Sequence, residues 1–76
     1  MSKQSGVVKR SVAIAGHRTS VSLEAPFWEA LRDIAHRRGA SVQQLIGEID
    51  AGRGAHNLSS AIRVFVLTEM RAGSSH

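Results

Sequence analysis

The sequence predicts a mainly α-helical protein with a short β ribbon near its N-terminus, assembled as a dimer. Three observations predict it. Residues 7–14 and 18–23 are rich in β-branched side chains and tend to alternate apolar with polar, the period of a strand. After Glu24 the apolar spacing becomes helical and is punctuated by helix caps. Thirty-two of the 76 residues are hydrophobic, but ten of these are Ala, and the 22 that remain are few for a core with no disulfide to reinforce it. A second copy of the chain is the natural source of further buried area. The domain is expected over residues 7–72, with 1–6 as a flexible arm and 73–76 as a tail.

The first strand reads Val7-Val8-Lys9-Arg10-Ser11-Val12-Ala13-Ile14, with its apolar residues Val8, Val12 and Ile14 at even positions and Arg10 interrupting them. The second reads Arg18-Thr19-Ser20-Val21-Ser22-Leu23, with its apolar residues at odd positions. The parity switches near Gly16. A tight turn and a one-residue bulge both do this, and glycine suits both, so a hairpin and a bulged long strand remain open. If Val21 and Leu23 face the core, then Arg18, Ser20 and Ser22 face outward.

Glu24-Ala25-Pro26 starts the first helix, since proline is tolerated in a first turn. Phe27, Leu31, Ile34 and Ala35 recur at helical spacing, Trp28 widens the face, and Arg37-Arg38-Gly39 forms a stop. Ser41-Val42-Gln43-Gln44 is a capping box opening a second helix, which ends near Asp50. A glycine-containing loop follows. Asn57 or Ser59 then caps a third helix running to about Arg71. Its residues Ile62, Val64, Phe65, Val66, Leu67 and Met70 make it apolar almost all round, which calls for a subunit interface.

The formal charge of +4 is unevenly placed. Residues 1–23 hold Lys3, Lys9, Arg10 and Arg18 and no acid, while the six basic and six acidic residues after them cancel. The excess therefore sits on the strand segment, which suits a polyanion. Other chemistries find little support. His17, His36, His56 and His76 share no helical face, so no metal or other cofactor is expected. Asp33, Glu48 and Asp50 read as solvated charges, and no nucleophile is placed with a base, so the chain is not expected to be an enzyme. Gly52-Arg53-Gly54 lacks the Gly-Lys-Ser of a phosphate loop. No apolar run approaches a membrane span of about 18 residues and no secretory signal is evident, so a cytoplasmic protein is expected.

The order of strand, proline-initiated helix, Gly-x-Ser turn and amphipathic helix resembles the ribbon-helix-helix (Arc/MetJ-type) DNA-binding family. The residues that carry the resemblance are Arg18-Thr19-Ser20-Val21-Ser22-Leu23-Glu24, Phe27-Trp28-Glu29-Ala30-Leu31, Gly39-Ala40-Ser41 and Asn57-Leu58-Ser59-Ser60-Ala61-Ile62-Arg63. It extends from Lys9 to Arg71 and implies an intertwined homodimer with intermolecular antiparallel strands, bound through its ribbon to the major groove of double-stranded DNA. It further implies base contacts by Arg18, Ser20 and Ser22, and phosphate contacts by Lys9, Arg10 and a helix N-terminus at Ser41 or Ser59. Val21, Leu23, Trp28, Ile62 and Phe65 become the expected dimer interface. The function implied is transcriptional repression in a bacterial cell. The alternative is a protein-interaction module, antitoxin-like or an adaptor, on the same dimer. The sequence departs from the family pattern in two ways: an extra helix, so that 41–50 or 58–71 is the family's second, and an extra strand before Gly16.

Overall fold

The computed structural model describes residues 6–54 and 57–73. Strand β1 (Val7–Ile14) and strand β2 (His17–Glu24) are followed by helices α1 (Ala25–Arg38), α2 (Val42–Gly52) and α3 (Leu58–Gly73). The expected arm at 1–6 lies outside the described residues except for Gly6, whose carbonyl accepts the Ala25 N–H at 2.8 Å. α3 ends at Gly73, two residues past its expected end; residues 74–76 lie outside the described residues.

β1 and β2 pair antiparallel within one chain, with Ile14 opposite His17 and Val8 opposite Leu23. The parity switch is therefore a hairpin. Ala15 and Gly16 form its two-residue loop with φ of 52° and 83°, the doubly positive backbone of a type I′ turn, whose twist matches that of the flanking strands. This pairing involves the extra strand and is separate from the pairing between two chains that the family resemblance implies. Both strands of the hairpin belong to the same chain, because the turn at Gly16 folds the extra strand back onto β2.

Cross-strand partners share a face of the hairpin. Val12, Val21 and Leu23 are buried, which makes the face of even β1 and odd β2 residues the inner one. Under it lie Trp28, Leu31, Ile34 and Ala35 of α1, Leu45 and Ile46 of α2, and Ile62 and Val66 of α3. Leu23, Leu31, Ile46 and Ile62 are wholly inaccessible. Truncating any of them to Ala would cost about 2–5 kcal/mol, because packing is lost and a cavity remains.

The helices begin and end where their caps dictate. Gly39 takes φ 69°, and the N–H groups of Ala40 and Gly39 donate to the carbonyls of Ala35 and His36, closing α1 with a complete Schellman motif. Ser41 caps α2 reciprocally: its Oγ accepts the Gln44 N–H at 3.0 Å, and its own N–H donates to Gln44 Oε1 at 3.1 Å. α2 runs to Gly52, two residues past the expected end. Asn57 rather than Ser59 caps α3, its Oδ1 accepting the Ser60 N–H at 3.2 Å. The all-round burial expected of α3 is not found in one chain, since Val64, Leu67 and Met70 stand more than half exposed.

Candidate nucleic-acid interface

The register places Lys9 opposite Ser22, Ser11 opposite Ser20, and Ala13 opposite Arg18. All six lie on the face turned away from the core. The three positions expected to touch bases, Arg18, Ser20 and Ser22, are thus aligned along one strand of a polar, cationic surface, and Lys9 and Ser11 continue it onto β1. Lys9, Ser11, Arg18 and Ser20 are exposed and Ser22 is half-buried. Arg18 and Glu24 lie six residues apart on β2, about 20 Å along the strand, and the Glu24 carboxylate is paired with Arg63, whose Nε is 2.9 Å from Oε1.

Arg10 occupies the opposite face to Lys9. Its guanidinium lies 5.4 Å from the centre of the Trp28 ring, a cation–π arrangement that keeps it at the outer flank of β1. An inward-facing arginine therefore does not interrupt the strand: the aromatic ring beneath accepts it. The same indole donates its Nε1–H to the Val8 carbonyl at 2.9 Å.

The two candidate helix N-termini lie on different sides of the hairpin. α2 starts beside β1, where Gln43 Oε1 accepts the Ala13 N–H at 3.3 Å. α3 starts beside β2, where Asn57, Leu58 and Ser59 share a groove with His17, Thr19 and Ser20. The first turn of α3 is thus the one adjoining the outward strand that carries Arg18, Ser20 and Ser22. Ser59 lies within that turn; Ser41 lies at the other start.

The residues expected at a subunit interface are placed inside the protomer. Val21, Leu23, Trp28 and Ile62 are at most 5% exposed and fill the chain's own core. Phe65 is half-buried, with the Arg38 guanidinium 5.3 Å from its ring centre. The surface left for a partner is different: the exposed Val64, Leu67 and Met70, and the outer edge of β2. A two-residue hairpin makes its flanking pair, Ile14 and His17, hydrogen-bonded, and the bonded pairs then alternate. The amides and carbonyls of Arg18, Ser20 and Ser22 consequently point to the outer edge. Among the described residues none of these groups has a hydrogen-bond partner.

The electrostatic couplings near this surface are few. The Arg63 guanidinium hydrogen-bonded to Glu24 holds its carboxyl below the ordinary glutamate value, with the chain's own backbone N–H assisting. No group of three or more metal-ligating side chains occurs among the described residues. No helix among them is long and apolar enough to cross a membrane.

The chain is a hairpin with a polar outer face, backed by capped helices. The chain belongs to the ribbon-helix-helix domain family, whose model matches residues 7–70. That family is one of DNA-binding regulators in general. The chain is also similar to the solved structure of an uncharacterized protein from Bordetella pertussis Tohama I. The two share 38% identity and a TM-score of 0.72 over 84% of this chain and 55% of that one. The chain thus spans about half the length of that relative. No curated protein matches it.

Proposed function

We propose that the protein binds double-stranded DNA sequence-specifically as a homodimer and represses transcription by covering an operator. The observation that carries this reading is the outer face of the hairpin, where Lys9, Ser11, Arg18, Ser20 and Ser22 stand together on a surface that no part of the core requires. Arg18 can bridge the O6 and N7 acceptors of guanine, and Ser20 and Ser22 can donate or accept at base edges. Lys9 and the first turn of α3 at Ser59 would hold phosphates and so set the register. The working compartment is the bacterial cytoplasm.

The dimer forms through the outer edge of β2. A second β2, related by a two-fold axis, would satisfy the open amides and carbonyls of Arg18, Ser20 and Ser22 and give the sheet order β1-β2-β2-β1. α3 runs beside β2, from the groove shared by Asn57 and Ser20 to the Arg63–Glu24 pair. Two such chains would bring their α3 helices together and cover Val64 and Leu67, exposed by 63% and 57%. A contiguous apolar surface of this kind on a small protein marks an association site.

Selection of bound duplexes from a random DNA pool at near-physiological salt tests the reading. An enriched inverted repeat is expected, and Arg18→Ala should abolish the enrichment at one base pair in each half-site. Binding without enrichment would replace the regulator with a DNA-compacting protein. A folded protein that binds no duplex would favour the second reading, an antitoxin-like or adaptor module that presents the outer face of the same dimer's ribbon to another protein.

A further inference from the structure

A groove on the outer flank of β1 adjoins the surface used above and shares only Ser11 with it. Arg10, Ser11, Trp28, Arg32, Val42 and Gln43 line it. It contains two guanidinium groups and no acid. Arg32 projects from α1 one turn beyond Trp28, is exposed, and makes no ion pair among the described residues. Arg10 rests over Trp28 without an acidic partner among them. Elsewhere in the molecule, arginines are neutralised where they meet acids: Arg38 by Glu69, Arg53 by Asp50 and Arg63 by Glu24. The flank of β1 therefore keeps its positive charge.

Strand spacing determines what this charge would meet. Adjacent strands lie about 4.8 Å apart. In a sheet ordered β1-β2-β2-β1, each β1 is then about 7 Å from the two-fold axis. The DNA major groove is about 12 Å wide, or about 6 Å to each side of its centre. The central β2 strands fit its floor and the outer β1 strands do not. Sheet twist turns them further aside. They come to rest over the groove walls, which are rows of phosphates.

We infer that the β1 flank is a phosphodiester-binding surface in which Arg10, Arg32 and the Ser11 hydroxyl grip the DNA backbone, while β2 alone reads bases. The inference rests on the DNA-binding dimer proposed above. It explains the extra strand, because β1 widens the footprint without adding sequence preference. It also gives Arg32 a phosphate to bind, on a helix that otherwise only supports the ribbon. Trp28 holds Arg10 in place by stacking, which limits the rotamer freedom lost on binding.

The test compares wild type, Arg32→Gln and Arg18→Ala by titration with a selected duplex and with an unrelated one, at several salt concentrations. Each phosphate that a variant no longer neutralises lowers the salt slope by about 0.9, so about 1.8 for the two copies in a dimer. Arg32→Gln should weaken binding to both duplexes by the same factor, lower the slope by that amount, and leave the selected sequence and the melting temperature unchanged. Arg32→Lys should restore much of the slope. An unchanged slope for Arg32→Gln, with Arg18→Ala still weakened, would overturn the flank while leaving the dimeric reader standing. A shifted base preference for Arg32→Gln would overturn it too, by making the flank a reader. Failure of the wild type to bind either duplex would remove both readings.

Discussion

Trp28 reaches from the first turn of α1 to the beginning of the hairpin and donates its indole N–H to the Val8 carbonyl at 2.9 Å. This bond ties the extra strand to α1, beside the Arg10–Trp28 contact. In the ladder the same carbonyl faces the Leu23 N–H, because Val8 and Leu23 form one of the bonded pairs. Trp28→Phe keeps most of the packing and deletes the donor. It should cost about 1 kcal/mol, the usual net value of a hydrogen bond, and the loss should fall locally. Amide hydrogen exchange should speed up at residues 8–12 more than in α2. Uniform acceleration across the chain would mean that the indole acts through core packing alone.

The hairpin turn holds a correctable strain. Ala15 sits at φ 52°, a region that costs an L-residue with a Cβ roughly 1–2 kcal/mol. Asparagine tolerates it better, and Asn-Gly is the favoured pair for this turn. Ala15→Asn should therefore stabilise the protein by about 0.5–1 kcal/mol, read as a higher denaturant midpoint with an unchanged slope. Gly16→Ala should do the reverse, because Gly16 has φ 83°.

The same turn shows where the sequence was legible and where it was not. Apolar parity alone identified the inner faces of both strands, because a strand has a strict period of two, and it thereby put Arg18, Ser20 and Ser22 outside. Ala-Gly is a weak turn signal, so parity could not distinguish a hairpin from a bulge. The caps of α1 and α2 were legible because Gly39 and the Ser41–Gln44 box act within a few residues. The groove of Arg10, Arg32 and Gln43 was not, since its members come from three elements and no local spacing joins them. Val21, Leu23, Trp28 and Ile62 were expected at a subunit interface, and the chain buries them in its own core. Composition shows that a core is small, but not which apolar residues the chain keeps for itself.

Glu24 links stability to pH. Its carboxyl is held below the ordinary value of 4.5, first by the hydrogen bond from Arg63 and then by a backbone N–H. A carboxyl depressed in the folded state binds its proton less readily there than in the unfolded chain. The stabilisation is thus fully present above 4.5 and is lost as pH falls through the lowered value. Both side chains are substantially exposed, so the effect is modest and salt weakens it. Glu24→Gln should lower the melting temperature slightly at pH 7, where the paired carboxylate is ionised, and flatten its dependence on pH below 4.5, so that the two proteins converge in acid. An acid limb identical in both proteins would assign that dependence to other carboxylates.

The edge of β2 permits a separation of hairpin from dimer that hydrophobic substitutions cannot give. The Thr19 amide lies on the side of β2 bonded to β1, and the Ser20 amide lies on the open side. Proline is tolerated on an edge where its missing N–H had no partner, and it breaks a ladder where the N–H was used. Ser20→Pro should therefore leave the hairpin and helices intact while blocking a partner strand, whereas Thr19→Pro should disrupt the hairpin itself. In sedimentation, wild type should run at about twice the 8.2 kDa chain mass, and Ser20→Pro should run as a monomer with near-native helix content. Because the exposed Val64 and Leu67 would then lack cover, the monomer should also be less stable and more prone to associate at high concentration. A Ser20→Pro protein that remains a dimer would show that the chains meet elsewhere, with the α3 surface as the place to look.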